Sequence, residues 1–374
     1  MAAAATATTT IQLASPDGPV TRTILQAPLR DALPSEIPII EIADLVGASS
    51  TIEARKAVAA RIRDAATNTG FFYIVNHGVP LDVTDASGHA AQDFFRQDLD
   101  IKLRARAHTK GMPNGYRPPD FSSINPTEGV DVREAFQFRY DPRWDPVVPD
   151  QDAIPQTVRD GFIHEDDAFA ETANQPEFGR SAKAHFQACM KLARTLTHAF
   201  ALSLDLPEDA FDKKSEYPGC AMAVNYYPPI PGGAARAGGA EPREPAARVS
   251  IGSHTDFQLF TILWQDDTGG LQVLNREGQW IRAAPVRGSF VVNIADYMQR
   301  ITNDRYVSTV HRAQNWSGRE RVSIAFFWGF GFHESCGVLE TCVAEGEKAK
   351  YEEISCRDWV RKRLADMQKL KNGV

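Results

Sequence analysis

The pattern of hydrophobic and polar positions divides the chain into textures of different kinds. Residues 1–34 open on Met-Ala-Ala-Ala-Ala-Thr-Ala-Thr-Thr-Thr, a run of low complexity without sustained periodicity, and read as a flexible N-terminal extension. Residues 35–205 read as a mostly helical region built around short apolar strands. Ile37-Pro38-Ile39-Ile40-Glu41-Ile42 is β-prone. Ser50 with Glu53 three residues on forms a capping box, and Ala54, Val58, Ile62 and Ala65 recur at helical spacing until Gly70, a natural stop. Phe71–Val75 follows as a buried strand, and helical patterns cover Asp85–Phe95 and Ser181–Leu204.

After Pro207 short β-branched and aromatic runs alternate with Gly, Pro, Asn and Asp. Strands are predicted near 220–227, 248–253, 257–264, 270–274, 289–294, 306–312 and 321–328. So many short strands with regular turn signals indicate a barrel or sandwich over residues 206–335. Residues 230–247, rich in Gly, Ala and Pro, read as solvated slack, with a lid as the alternative. Residues 336–374 read as a helical tail whose last helix starts near Ser355 and sets Trp359, Val360, Leu364 and Met367 on one side. The fold class is thus α+β with a mainly β core.

Composition narrows the function. Of 374 residues, 43% are hydrophobic and 24% charged, as in ordinary globular proteins. With 41 Lys and Arg against 48 Asp and Glu, the formal charge of -7 argues against a nucleic-acid partner and against an anionic membrane surface. No apolar run approaches the ~18 residues of a membrane span. Five Cys without a CxxC pair fit a reducing, cytoplasmic setting. Oligomeric state is left open.

Two histidines and one aspartate carry the chemistry. In His254-Thr255-Asp256, residues i and i+2 project from one face of a strand, so imidazole and carboxylate converge. His311 closes a second β-prone run, Tyr306–His311. Two His and one carboxylate make the facial triad of non-heme Fe(II) oxygenases, which leaves three coordination positions open. A hairpin centred on Trp316 would set His311 opposite Arg321 and Thr309 opposite Ser323. A guanidinium with an adjacent hydroxyl suits the far carboxylate of a short dicarboxylate that chelates the metal. The other histidines (77, 89, 108, 164, 185, 198 and 333) have no ligand-type partner at a telling spacing and read as surface or hydrogen-bonded residues.

The chain resembles the iron(II)/2-oxoglutarate-dependent dioxygenases of the isopenicillin N synthase-like branch across roughly residues 36–335. The resemblance rests on Ile37–Ile40, Gly70-Phe71-Phe72-Tyr73-Ile74-Val75-Asn76-His77-Gly78-Val79-Pro80, Asn225-Tyr226-Tyr227-Pro228-Pro229, the run from His254 to Val273, and Tyr306–Ser323 with its HR…RxS ending. It implies a double-stranded β-helix (jelly roll) with His254, Asp256 and His311 as metal ligands. It implies Arg321 and Ser323 at the distal carboxylate of 2-oxoglutarate, Asn225 and Tyr227 at the cosubstrate, and a structural role for His77. Gln258 stands where the family commonly has Gly, and strand alternation puts Gln258 and Phe260 on the inward face with the triad. Phe327 and Gln137 match positions that flank the substrate. The implied activity uses Fe(II), 2-oxoglutarate and O2 to hydroxylate or desaturate a C–H bond of a small organic molecule, in specialised metabolism, with release of succinate and CO2. Alternatives are an oxidase that dispenses with 2-oxoglutarate and a catalytically inactive jelly-roll binding protein.

Overall fold

The computed structural model describes residues 7–372 apart from 48, 107–113, 120, 122, 149, 151, 160–166 and 230–248. The Gly/Ala/Pro-rich segment 230–247, His108 and His164 therefore lie outside the described residues.

In chain order, strands β1 (Thr8–Ser15) and β2 (Gly18–Leu25) are followed by β3 (Arg30–Asp31) and β4 (Ile39–Glu41). Helix α1 (Ile52–Asn68), strand β5 (Phe71–Val75) and helix α2 (Leu81–Phe95) come next. Strands β6 (Gly115–Arg117) and β7 (Glu134–Arg139) precede the 28-residue helix α3 (Pro176–Ser203). Then come β8 (Ala221–Tyr227), β9 (Ile251–His254), β10 (Phe260–Gln265), β11 (Leu271–Leu274) and β12 (Trp280–Arg282). Strands β13 (Phe290–Ile294), β14 (His311–Ala313) and β15 (Arg321–Trp328) complete the β core, and helix α4 (Cys356–Asn372) ends the chain. Helix α1 is capped by Thr51, one residue after the predicted Ser50, with its Oγ1 accepting from the Ala54 N–H.

Two sheets make the jelly roll. The larger has eight strands in the order β4-β5-β13-β10-β15-β8-β7-β6, and the smaller has five in the order β3-β12-β11-β14-β9. Strands from both the N-terminal region and the β region thus share one continuous sheet. Its side chains alternate strictly between two environments. Phe136, Met222, Val224, Ile262, Val292 and Phe326 point outward into the main core, where α3 supplies Phe186, Met190, Leu196 and Phe200. Each such buried side chain contributes roughly 1.5–3 kcal/mol. Trp328 joins them and donates its indole N–H to Thr197 Oγ1 at 2.9 Å. The opposite face looks toward the five-stranded sheet. At one end the gap is filled by Phe71, Tyr73 and Val291 against Leu271, Val273 and Ile281. At the other end it opens into a cavity of about 430 Å³.

Three expectations need correction. Residues 7–25 are not a flexible extension: β1 and β2 pair from Thr8–Leu25 to Ser15–Gly18, and Leu13 and Ile24 are buried against Leu274, Trp280 and Val310. The turn is Ser15-Pro16-Asp17-Gly18, with Gly18 at φ +106°. Second, β14 and β15 are not a hairpin. His311 pairs with His254 on β9 and Val273 on β11, whereas Arg321 pairs with Tyr227 on β8. Buried Asn315 holds the crossing between sheets: its backbone N–H donates to Ser250 Oγ, and its Nδ2 donates to the carbonyls of Tyr227 and Arg319. Third, Phe260 does not share the face of the triad. Strand β9 ends at His254, and residues 255–259 turn before β10 begins, so alternation is not continuous across the gap. Phe260 is buried in the helical core with its ring 5.0 Å from that of Phe200, and its neighbour Thr261 faces the cavity instead.

Candidate active site

The register of the large sheet sets the cavity floor. Running across the strands, Arg117, Ala135, Asn225, Ser323 and Gln265 form one row. Arg139, Ala221, Phe327, Thr261 and Asn293 form another. Between them lies the row of Gly115, Gln137, Ala223, Ala325 and Leu263. Period-two alternation delivers all three rows to the same face.

The metal-type cluster spans both sheets. One ligand atom from each of His254, Asp256 and His311 lies within 4.8 Å of the others. His254 Nε2 stands 3.7 Å and His311 Nε2 3.9 Å from Asp256 Oδ1. Each imidazole is fixed from behind: the Nδ1–H of His254 donates to the Gly252 carbonyl at 2.8 Å and that of His311 to the Thr309 carbonyl at 3.1 Å. A carbonyl only accepts, so both Nδ1 atoms carry the proton and both Nε2 lone pairs face Asp256. Burial, and then the adjacent His311, push the His254 imidazole well below its ordinary value, with Asp256 opposing them. For Asp256, burial alone would raise the carboxyl. The two imidazoles and hydrogen bonds from Asn293 and Thr261 outweigh burial and leave it below the usual carboxylate range. Those donors reach Oδ2, from Thr261 Oγ1 at 2.5 Å and Asn293 Nδ2 at 2.8 Å. One carboxylate oxygen is thereby tied to the sheet, and the other is aimed at the histidines.

A second charged feature lies in the same cavity. Arg321 is 1% exposed, with its guanidinium 4.7 Å from the ring centroid of Tyr227. It donates to Ser323 Oγ and to Gln265 Oε1, each at 3.3 Å, and Tyr227 Oη lies 3.3 Å from Ser323 Oγ. No carboxylate lies within ion-pair distance of Arg321 among the described residues, and its buried Nε has no hydrogen-bond partner there. A buried, uncompensated guanidinium is costly unless an anion completes it. The donor set therefore fits a carboxylate beside a metal held by two imidazoles and an aspartate, and that is the chemistry of a chelating dicarboxylate.

Comparison with known proteins decides the family. The 2OG-Fe(II) oxygenase superfamily matches residues 218–329, and the N-terminal region of non-haem dioxygenases in morphine synthesis matches residues 37–158. The 2-oxoglutarate-Fe(II) type oxidoreductase ppzC of Metarhizium majus is 58% identical over 358 residues, covering 96% of this chain and 94% of that protein. The chain belongs to the 2OG-Fe(II) oxygenase superfamily. A more distant relative is the 2-oxoglutarate-Fe(II) type oxidoreductase hxnY of Emericella nidulans, 29% identical over 88% of this chain and 89% of that one. Among solved structures, the dioxygenase for auxin oxidation in rice is 26% identical with a TM-score of 0.66, covering 90% of this chain and 99% of that one. A full-length Neurospora crassa protein, solved in complex with alpha-KG and thymine, shares the fold at a TM-score of 0.70 and 22% identity, over 90% and 97% of the two chains. This oxygenase is accordingly a 2-oxoglutarate-dependent dioxygenase that works with Fe(II), 2-oxoglutarate and O2.

The remaining sequence-derived residues fall as follows. Asn225 lines the cavity, its Oδ1 accepting from Arg133 and its Nδ2 donating to the Ala223 carbonyl. Tyr227, Phe327, Gln137 and Gln258 also line it, and Gln258 Nε2 donates to the Gly219 carbonyl. His77 stands apart: its Nδ1 accepts from the Val79 N–H, and its Nε2 lies 3.2 Å from the Gly288 carbonyl. Sequence reasoning missed the residues that brace the site. Thr261 and Asn293 hold Asp256. Arg363 on α4 donates to Asp296 Oδ2 at 2.8 Å and to the Ala14 carbonyl at 3.1 Å, tying the tail to β1 across the open end of the cavity. The cavity-facing rows of β6 and β7 could have been read from the alternation in Arg133-Glu134-Ala135-Phe136-Gln137-Phe138-Arg139. The tertiary closure by α4 has no sequence signal. Among the described residues no helix is long and apolar enough to cross a membrane.

Proposed function

We propose that this oxygenase hydroxylates or desaturates a C–H bond of a small organic molecule in specialised metabolism, with His254, Asp256 and His311 holding the iron. The observation that carries this reading is the convergence of the three ligand atoms within 4.8 Å in one cavity with the uncompensated Arg321. Fe(II) with 2-oxoglutarate supplies O2 activation coupled to oxidative decarboxylation, which yields succinate and CO2. The chain's own residues do the rest. Arg321 and Ser323 receive the distal carboxylate, with Tyr227 stacked on the guanidinium and Asn225 nearby on the same face. Thr261 and Asn293 keep Asp256 ionised and oriented. Phe327, Gln137 and Gln258 border the space left for substrate, and α4 with β1 keeps water from the open end. A cavity of about 430 Å³ suits a small ligand rather than a macromolecule. Five free cysteines support a cytoplasmic setting.

The test is a metabolite screen read by succinate release. Succinate formed in step with oxidised product supports the reading, and product formed without succinate contradicts it. Arg321→Lys loses the planar fork and the stack on Tyr227. It is expected to raise the KM for 2-oxoglutarate roughly 10- to 100-fold, as for loss of a charge-assisted hydrogen bond of about 1.5–3 kcal/mol. An unchanged KM would remove Arg321 from cosubstrate binding.

A further inference from the structure

Beyond the triad and Arg321, the cavity holds an arrangement of charge that the reaction itself does not require. Arg117 on β6, Arg139 at the end of β7 and Arg133 just before β7 all line it, and Asp256 is the single carboxylate among its described lining residues. The iron, its aspartate, a bound 2-oxoglutarate dianion and Arg321 cancel one another in charge, so these arginines remain as a positive excess. Arg133 is partly offset by Asp131, with Nε 3.8 Å from the carboxylate, while that carboxylate also accepts the N–H groups of Ile124 and Gly252. Arg117 has its guanidinium 4.7 Å from the centroid of the Phe121 ring, and its Nε has no hydrogen-bond partner among the described residues. Burial, then Arg133 and Arg139, push its pKa down to about 10.

The register puts a ligand-sized space beside this patch. Arg117 lies opposite Ala135, and Gln137 lies opposite Gly115, so no side chain of β6 covers Gln137. Further across the sheet, Ala221, Ala223 and Ala325 keep the floor low on the way to Thr261 and the triad. At ~4.8 Å per strand, three strand spacings, roughly 14 Å, separate the backbones of Arg117 and Ser323. One short dicarboxylate does not occupy both anion sites.

We infer that the substrate carries a carboxylate, received by Arg117 with Arg133 and Arg139 beside it, while the body of the molecule lies over the alanine floor toward the triad. A planar carboxylate matches the guanidinium fork, accepts from the free Arg117 Nε and leaves Gln137 able to donate to the same group. A neutral substrate would leave the excess charge desolvated and unpaired. This inference rests on the assignment of the triad and Arg321 to iron and 2-oxoglutarate, and it adds the substrate class.

The test uses protein loaded with Fe(II) and 2-oxoglutarate without oxygen, so that Arg321 is already occupied and a visible metal-to-ligand absorption band reports the loaded fraction. Calorimetric titration then compares matched pairs: benzoate with benzamide, phenylacetate with phenylacetamide, and cyclohexanecarboxylate with its amide. The acids are expected to bind at least roughly ten-fold more tightly than their amides, and Arg117→Gln to erase that preference. Arg139→Gln serves if a melting curve shows the first variant unfolded, and it is expected to reduce the preference by several-fold. Equal affinity for acid and amide, no binding by any acid, or an undiminished preference in the folded variants overturns the inference. Absence of the visible band in the wild-type complex before any acid is added overturns instead the assignment on which it rests.

Discussion

The hydrogen bonds behind Asp256 offer a quantitative test of how the site is built. Asp256 Oδ1 faces both imidazoles, while Oδ2 accepts from Thr261 Oγ1 and Asn293 Nδ2. Thr261→Val and Asn293→Leu keep side-chain volume and remove one donor each. A hydrogen bond to a charged group contributes about 1.5–3 kcal/mol. Partners behind a metal ligand typically affect metal affinity by about 10- to 100-fold, which at 1.4 kcal/mol per ten-fold is about 1.4–2.8 kcal/mol. The two estimates agree, so each variant is expected to weaken Fe(II) binding by one to two orders of magnitude. Because both donors serve one oxygen, the double variant should fall short of the product of the single effects. The assay is anaerobic competition for Fe(II) against a chelator of known affinity, with thermal unfolding of the metal-free variants as the control for folding. Single variants that bind Fe(II) as wild type does would show that Asp256 needs no orientation by the sheet and would refute the reasoning.

Two further outcomes follow from the scaffold. Gly70 follows α1 at φ +68°, and a Cβ there would lie 1.9 Å from the Val307 carbonyl oxygen; Gly70→Ala should cost at least about 2 kcal/mol in denaturant unfolding, and a smaller loss would show that the loop yields freely. His185 on α3 is fully buried, and burial lowers its pKa from 6.5 to about 3. The unfolded chain therefore binds a proton below pH 6.5 that the folded chain refuses until about pH 3, so stability falls on acidification through that window. At pH 5 the loss is about 2 kcal/mol, at 1.36 kcal/mol per pH unit, and His185→Leu should remove this share of the acid sensitivity in urea titrations at pH 7 and pH 5.

The features legible in the chain are those written in local spacing. His254 and Asp256 two residues apart, a third ligand at the end of a β-prone run, and Arg321 with Ser323 two residues apart all carry their chemistry in the sequence. Their mutual arrangement is not written there. A hairpin would make His311 and Arg321 face each other, yet they belong to opposite sheets, because buried Asn315 diverts the chain between them. They meet only because the two sheets close on one cavity. Phe260 is misplaced for a related reason: period-two reasoning holds within a strand and fails across the turn at residues 255–259. The N-terminal hairpin has a signal, Pro16-Asp17-Gly18, obscured by the low-complexity run before it. Closure of the cavity by α4 through Arg363 and Asp296 depends on contacts 67 residues apart, which no local pattern encodes.

The central claim is that one iron sits between His254 Nε2, Asp256 Oδ1 and His311 Nε2, with 2-oxoglutarate reaching from it to Arg321. Crystals grown anaerobically with Fe(II) and 2-oxoglutarate, measured on both sides of the iron absorption edge, test it directly. The account predicts a single anomalous peak bonded to those three atoms and a carboxylate within hydrogen-bond distance of the Arg321 guanidinium. A peak at any other site, or a cosubstrate carboxylate turned away from Arg321, would contradict it.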